Sequence, residues 1–277
     1  MKKMPVLLTF DVDGEMIWRN RDPENANRPV TLSLGQYGIH RGLPRLLKLL
    51  DKYKIPATFF VPGMTAEMYP QAITSIEESG IHEIGHHSYS HKFPDMFPSK
   101  EAEAEDYAKA SEIIEPMIGR KLTGYRSPAW EFSRNTLSIL KDMGIEYSSN
   151  MMGTDCLQYL EIFGEKSDIV EIPIHWVLDD AAFWLYSVRL QGKSMQSLDN
   201  VERCWIDEFD GLYNEFIEEE EQGIDSDIVY VLTCHPQIIG RPSRLKVLEN
   251  VIKHIRQFPN VEFMTCPQVV KSFKEKK

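Results

Sequence analysis

The sequence predicts an α/β fold: one domain of residues 1–277 with seven or eight parallel strands in a barrel-like sheet. Three observations carry that expectation. Strand and helix signals alternate from end to end, with no linker, repeat or low-complexity stretch between them. Several strand candidates are short apolar runs, the pattern of strands buried on both faces. Finally, Asp11, Asp13, His87, His91, Arg126 and His235 all follow the carboxyl ends of predicted strands. In a parallel barrel those ends form one face, and active sites lie there.

Residues 5–10 (PVLLTF) form the first strand and end at Asp11. Residues 14–38 read as a long, polar, irregular loop holding Trp18, Arg19 and Arg21, placed where ligand contacts gather. A helix spans 42–53, with Leu43, Leu46, Leu47, Leu49 and Leu50 at helical spacing. Pro56 breaks it, and 57–61 (ATFFV) is the second strand. Residues 69–79 are helical and Gly80 closes them. The third strand, 81–85, is weaker and delivers a histidine-rich stretch. A long helix covers 100–118 with acidic residues near its start, where the helix dipole favours them. A short strand, 123–126, runs into Arg126-Ser127-Pro128-Ala129-Trp130, and a helix over 133–143 follows, capped by Ser133 and closed by Gly144. Residues 145–149 and 170–174 are further strands. Trp205, Phe209, Leu212, Tyr213 and Phe216 share one face of a helix whose acidic run, 218–221, is its solvated end. The chain finishes with a β-branched strand at 229–233, an amphipathic helix at 244–256, a strand at 261–265 and a helix from 267.

Composition excludes some functions. A chain of 277 residues with a formal charge of −11 lacks the basic face that nucleic acid requires, and the same charge disfavours an anionic membrane surface. Cys156, Cys204, Cys234 and Cys266 are scattered and read as reduced thiols in the cytoplasm. The opening Met1-Lys2-Lys3-Met4 precedes only a short apolar run, so neither a signal peptide nor a membrane span is expected.

His87 and His91, four positions apart, can converge on one divalent ion from a helical turn or tight loop. Alone, such a pair is as readily a polar loop with chance histidines. Asp13 alters that balance, although by itself Asp13-Gly14 is also a common turn. Two imidazoles and one carboxylate on one face leave coordination positions open for water and substrate. Zn2+ is the default, and Co2+, Ni2+, Mn2+ or Fe2+ also fit the donor set. Asp11 projects to the same side as Asp13 and can take a proton from water. His235 suits protonation of a leaving amine, or caps a loop before Pro236. Arg126 is expected to pair with Asp11 and keep it ionised, with Asp155 a candidate partner in the same network. Trp130 and Trp176 either wall a pocket or pack in the core. Cys234 and His235 are not read as a thiol–imidazole pair, because adjacent strand residues point to opposite faces.

The motifs Thr9-Phe10-Asp11-Val12-Asp13-Gly14, His87-Ser88-Tyr89-Ser90-His91, Arg126-Ser127-Pro128 and His235-Pro236 occur in an order that resembles the polysaccharide deacetylase superfamily, carbohydrate esterase family four with its NodB-homology fold. The resemblance covers essentially the whole chain. It implies a distorted (β/α)7–8 barrel and metal-dependent hydrolysis of an N-acyl bond. By position it makes Asp11 the general base, Asp13, His87 and His91 the metal ligands, and His235 the general acid. Arg126 would orient the base, and the backbone near Ala129 would help hold the oxyanion. Residues 42–50, 130–133, Leu178-Asp179-Asp180 and 235–243 are similar to a branch without secretion signals, which holds a peptidoglycan deacetylase-like protein, allantoinases and cyclic-imide hydrolases. That likeness also implies a homo-oligomer. Retention of His91 favours a metal enzyme within the branch. Two positions depart from the family: Ala129 where an aromatic is usual, and Gly153-Thr154-Asp155 where an Asp-Trp pair is usual.

The expected function is therefore metal-dependent hydrolysis of a non-peptide C–N bond, most simply N-deacetylation of a glycan or a small N-acyl compound. A cyclic imide or ureide hydrolase is the alternative within the class. Outside it stands an inactive binding module, whose signature, a lost base or ligand, is missing. Substrate choice is expected to lie in the long loops 14–38, 153–168 and 179–198.

Overall fold

The computed structural model describes residues 2–186 and 194–276. Part of the expected loop 179–198 thus lies outside the described residues. The sheet consists of β1 (Met4–Asp11), β2 (Thr58–Val61), β3 (Glu83–His86), β4 (Gly124–Tyr125), β5 (Tyr147–Ser148), β6 (Gln158–Ile162), β7 (Glu165–Glu171), β8 (Tyr230–Cys234) and β9 (Val261–Phe263). Their order is β6-β7-β5-β4-β3-β2-β1-β8, with β9 beside the start of β1. Every pairing is parallel except the β6–β7 hairpin. The sheet curls into a distorted, incompletely closed barrel. Isolated bridges from Cys156 to Ile228 and from Asp179 to Thr233 span the open side.

The helices are α1 (Met16–Arg19), α2 (Pro29–Tyr37), α3 (Leu43–Tyr53), α4 (Gly63–Met68), α5 (Pro70–Glu77), α6 (Lys100–Ile118), α7 (Thr136–Met143), α8 (Asp180–Trp184), α9 (Leu198–Glu221), α10 (Pro236–Ile239), α11 (Pro242–Ile255) and α12 (Cys266–Lys274). No helix among the described residues is long and apolar enough to cross a membrane.

Alternation along the strands decides which side chains face the barrel interior. On β1, Met4, Val6, Leu8 and Phe10 join the core beneath the surrounding helices, which also takes Leu46 and Leu50 of α3 and Trp205 and Phe209 of α9. Leu7 belongs to the inner cluster with Phe60, Tyr147, Val231 and residues of α12. Asp11 and Asp13 lie at even steps from Leu7, so they face inward where β1 ends. On β8, Tyr230, Leu232 and Cys234 face the helices, which leaves Thr233 and His235 pointing inward. The register of Asp11 opposite Phe60, Phe10 opposite Cys234 and Val61 opposite His86 brings these strand ends level.

Two stretches expected to be irregular are ordered. Residues 14–38 hold α1, a 3-10 turn over Pro23–Asn27 and α2, which continues through a π-helical turn, Gly38–Gly42, into α3. They are anchored by the buried Glu15, whose carboxylate accepts hydrogen bonds from Arg19, Gln36 and Tyr69. Stretch 153–168 contains β6 and most of β7. Phe163 (φ 53°) and Gly164 (φ 81°) are both left-handed, as a two-residue hairpin with right-handed strand twist demands. Their solvent-facing strands lack the apolar run that marks a buried one.

Candidate active site

The stretch after β3 is a tight loop, not a helical turn. Ser88 (φ 58°) and His91 (φ 59°) are left-handed, an uncommon conformation for such residues. Their loop is held by Asp106 of α6, which accepts from the backbone N–H groups of Tyr89 and Ser90. His86 faces outward: its Nε2 donates to the Tyr107 carbonyl, and burial pushes its pKa down to about 4. His87 and His91 face inward, and the Nε2 of each lies 3.4 Å from Asp13 Oδ1.

That triad fits a divalent ion. Two donors each about 2.1 Å from one ion at the tetrahedral angle stand roughly 3.4 Å apart. Asp13 Oδ1 is buried and has no hydrogen-bond partner among the described residues. His87 Nδ1 donates to the Arg126 carbonyl over 2.7 Å, which fixes the tautomer with a free lone pair on Nε2. Burial pushes Asp13 up, but the imidazoles of His91 and His87 outweigh it and hold the carboxyl well below the usual range.

Asp11 sits beside the triad. Arg126, itself buried, donates from Nη1 to Asp11 Oδ1 and to Thr9 Oγ1, both over 2.9 Å. Its other edge is pinned by Ser149, and its guanidinium lies 4.3 Å from the Phe60 ring centroid. A charge fixed on three sides cannot swing away from Asp11, which is what orienting a base requires.

His235 enters from β8. Its Nε2 lies 3.9 Å from Asp11 Oδ2 and 3.8 Å from Asp13 Oδ2. Nδ1 donates to Asp180 Oδ1 over 2.6 Å, and the His235 backbone N–H donates to the same carboxylate. Burial works against the imidazolium, yet Asp180 and Asp179 outweigh it and raise the His235 pKa well above its ordinary value. Burial in turn pushes Asp179 up to about 7. Asp179, Asp180 and His235 form a second cluster of metal-ligand type. At 2.6 Å, however, histidine and carboxylate share a proton directly, with no room for an ion between them.

Asp11, Asp13, His87, His91, Asp179 and His235 line a narrow cavity of about 70 Å³, with Arg126 and Asp180 behind them. Ala129, Trp130 and Trp176 are on its wall, so the tryptophans serve both pocket and packing: their rings stack at 4.2 Å. Ala129 (φ 56°) and Trp130 (φ 59°) are consecutive left-handed residues, a strained turn that bends the backbone around the mouth. Asp155 does not join this network. It is exposed and lines a separate surface groove with Asn200, Arg203 and Asp207. At the end of β5 the neighbours of Arg126 are instead Ser149 and Asn150, whose Oδ1 accepts from Ser127 N–H. Sequence reasoning also passed over Asp180 as the partner of His235, and Gln237, whose Nε2 donates to Asp13 Oδ2 over 3.3 Å.

Residues 1–148 match the family model described as polysaccharide deacetylase. The peptidoglycan deacetylase of Helicobacter pylori is 30% identical over 98% of this chain and 97% of its own length. The chain belongs to the polysaccharide deacetylase family. It is accordingly a hydrolase of carbon–nitrogen bonds other than peptide bonds. A peptidoglycan deacetylase-like protein of Gibberella zeae is similar at 25% identity, over 98% of this chain and 87% of that one. A Mycobacterium smegmatis crystal structure, assigned as a polysaccharide deacetylase, matches this family member with a TM-score of 0.85 and 31% identity, covering 99% of this chain and 91% of that one. Puue allantoinase shares the fold, with a TM-score of 0.81 at 20% identity over 98% and 90% of the two chains.

Proposed function

We propose that this chain is a metal-dependent N-deacetylase of N-acetylated amino sugars, acting as one domain over residues 1–277. One observation carries the metal: Asp13 Oδ1 is buried, lacks a hydrogen bond among the described residues and faces two imidazole nitrogens at 3.4 Å. Asp13, His87 and His91 would hold a divalent ion, most simply Zn2+. Such an ion supplies Lewis-acid polarisation of the acyl carbonyl and lowers the pKa of water.

The chain's own groups move the protons. Asp11, oriented by Arg126, takes a proton from the attacking water as its oxygen bonds to the acyl carbon. His235 Nε2 then gives a proton to the amine nitrogen as the C–N bond breaks, leaving a carboxylic acid and a free amine. Asp180 makes this possible by accepting from Nδ1, so the transferable proton sits on the nitrogen that faces the cavity. The backbone N–H at Ala129 is the proposed donor to the oxyanion. A cavity of about 70 Å³ takes only the acyl end of a substrate, with the sugar at the mouth near the exposed face of Trp176. Four cysteines without disulfides suit a reducing compartment, here the cytoplasm, and the working form is proposed to be a homo-oligomer.

The test is hydrolysis of N-acetylglucosamine oligomers beside N-acetyl amines, hydantoin, succinimide and allantoin, before and after chelation. Acetate release that vanishes with chelator and returns with Zn2+ or Co2+ is expected. Full activity after verified metal removal sinks the metal mechanism, and preference for a cyclic imide or ureide moves the substrate to that class.

A further inference from the structure

Next to the catalytic cavity lies a second hollow, of about 600 Å³, that the chemistry above does not use. Leu185 lines both spaces. Trp18 and Trp184 give the hollow apolar walls, and Arg241 and Arg244 give it charge. Arg241 lies 3.6 Å from the centroid of the Tyr37 ring, and Arg244 lies 5.4 Å from that of Trp184. Arg244 donates to the Ile238 carbonyl and to Met195 Sδ; the negative charge of Asp180 acts on it more strongly than the repulsion of Arg241, but not as a contact ion pair. Among the described residues, neither pairs with a carboxylate at ion-pair distance.

Gln237 connects the two spaces. Its Nε2 reaches Asp13, while its Oε1, in a buried residue lining the hollow, has no hydrogen-bond partner among the described residues. A buried acceptor left unpaired calls for a donor. Two adjacent guanidiniums call for an anion, and the planar fork of arginine matches a carboxylate. A chain of net charge −11 repels anions in general, so an anionic ligand depends on such a local pair.

We propose that this hollow is a subsite for a carboxylate carried by the substrate itself, held by Arg241 and Arg244. The substrate's apolar part rests on Trp18 and Trp184, and one of its hydroxyl or N–H groups donates to Gln237 Oε1. The inference rests on the deacetylase reading and narrows it: the substrate is an N-acylated amino sugar, or similar amine, with a carboxylate close to the acylated nitrogen.

N-acetylmuramic acid and its methyl ester differ in that single charge, which makes them the probes. Their binding to the full chain is followed by tryptophan fluorescence, a readout independent of turnover. The acid is expected to bind at least about 10-fold more tightly than the ester at low salt. The gap should shrink to within about 2-fold in Arg241→Gln and survive in part in Arg241→Lys. Equal binding of acid and ester by the native protein overturns the subsite, and that comparison needs no variant. A gap that persists in Arg241→Gln overturns it as well. Benzoate that binds without displacing the acid assigns the hollow to a separate carboxylate ligand, which also overturns it. Failure to hydrolyse any N-acyl substrate would fall on the deacetylase reading, and the acid–ester gap is read regardless.

Discussion

At the scale of single residues, Asp13 concentrates the most consequences. One oxygen faces His87 and His91, and the other faces His235 and Gln237. Asp13→Asn is expected to lower bound metal at least about tenfold by elemental analysis, and to cut kcat/KM by on the order of 10³. Asp180 acts one step away, through the Nδ1 of His235. Asp180→Asn should reduce kcat by about 10- to 100-fold while bound metal stays at the native level, as expected of a partner that only orients another group. Equal loss of metal in both variants would place Asp180 with the ligands instead. Asp13 was legible because period-two alternation ties it to Asp11. Asp180 was not, since 55 positions separate it from the histidine it holds.

At the scale of elements, the continuous run from α2 through Gly38–Gly42 into α3 holds together the loops that follow Asp13 and His235. A Cβ at Gly35 would lie 2.3 Å from the Gly14 carbonyl oxygen, and one at Gly42 would lie 2.0 Å from that of Pro236. The helical run therefore touches the backbone after Asp13 and the backbone after His235. Gly42→Ala is expected to destabilise the fold by about 1–3 kcal/mol and to lower kcat with it. Gly153→Ala, where a Cβ meets nothing within 4 Å, should stay within about 0.5 kcal/mol. Urea melts and initial rates on both variants check this. The stretch was read as a loop because Gly35 and Gly38 interrupt its buried face, leaving Leu32 and Ile39 too far apart to register as apolar periodicity. Leu43, Leu46 and Leu50 of α3 did present that face, and α3 was found.

At the scale of the whole molecule, the barrel interior also encloses a carboxyl far from the chemistry. Glu83 accepts hydrogen bonds from Thr58 and Tyr147, and burial raises its pKa from 4.5 to about 7. The unfolded chain ionises this group near 4.5 and the folded chain near 7. Its proton thus stabilises the fold fully below the lower value, and that contribution, on the order of 3 kcal/mol, is lost as pH rises through the upper one. Denaturant melts at pH 5 and pH 8 should show a larger loss for the native protein than for Glu83→Gln. Matching losses would remove Glu83 from the pH dependence. The α/β class, the shared side of Asp11 and Asp13 and the opposite sides of Cys234 and His235 were readable along the chain, because the periods of strand and helix are local rules. The sequence also carried the His87–His91 pair, since four residues of one loop stay together wherever the chain goes. Three-dimensional packing alone shows that Asp155 lies away from Asp11 and Arg126, that Asp180 and Gln237 contact His235 and Asp13, and that a hollow with two arginines opens beside them. Those relations join residues from different strands and helices, and a one-dimensional pattern holds no distance between them.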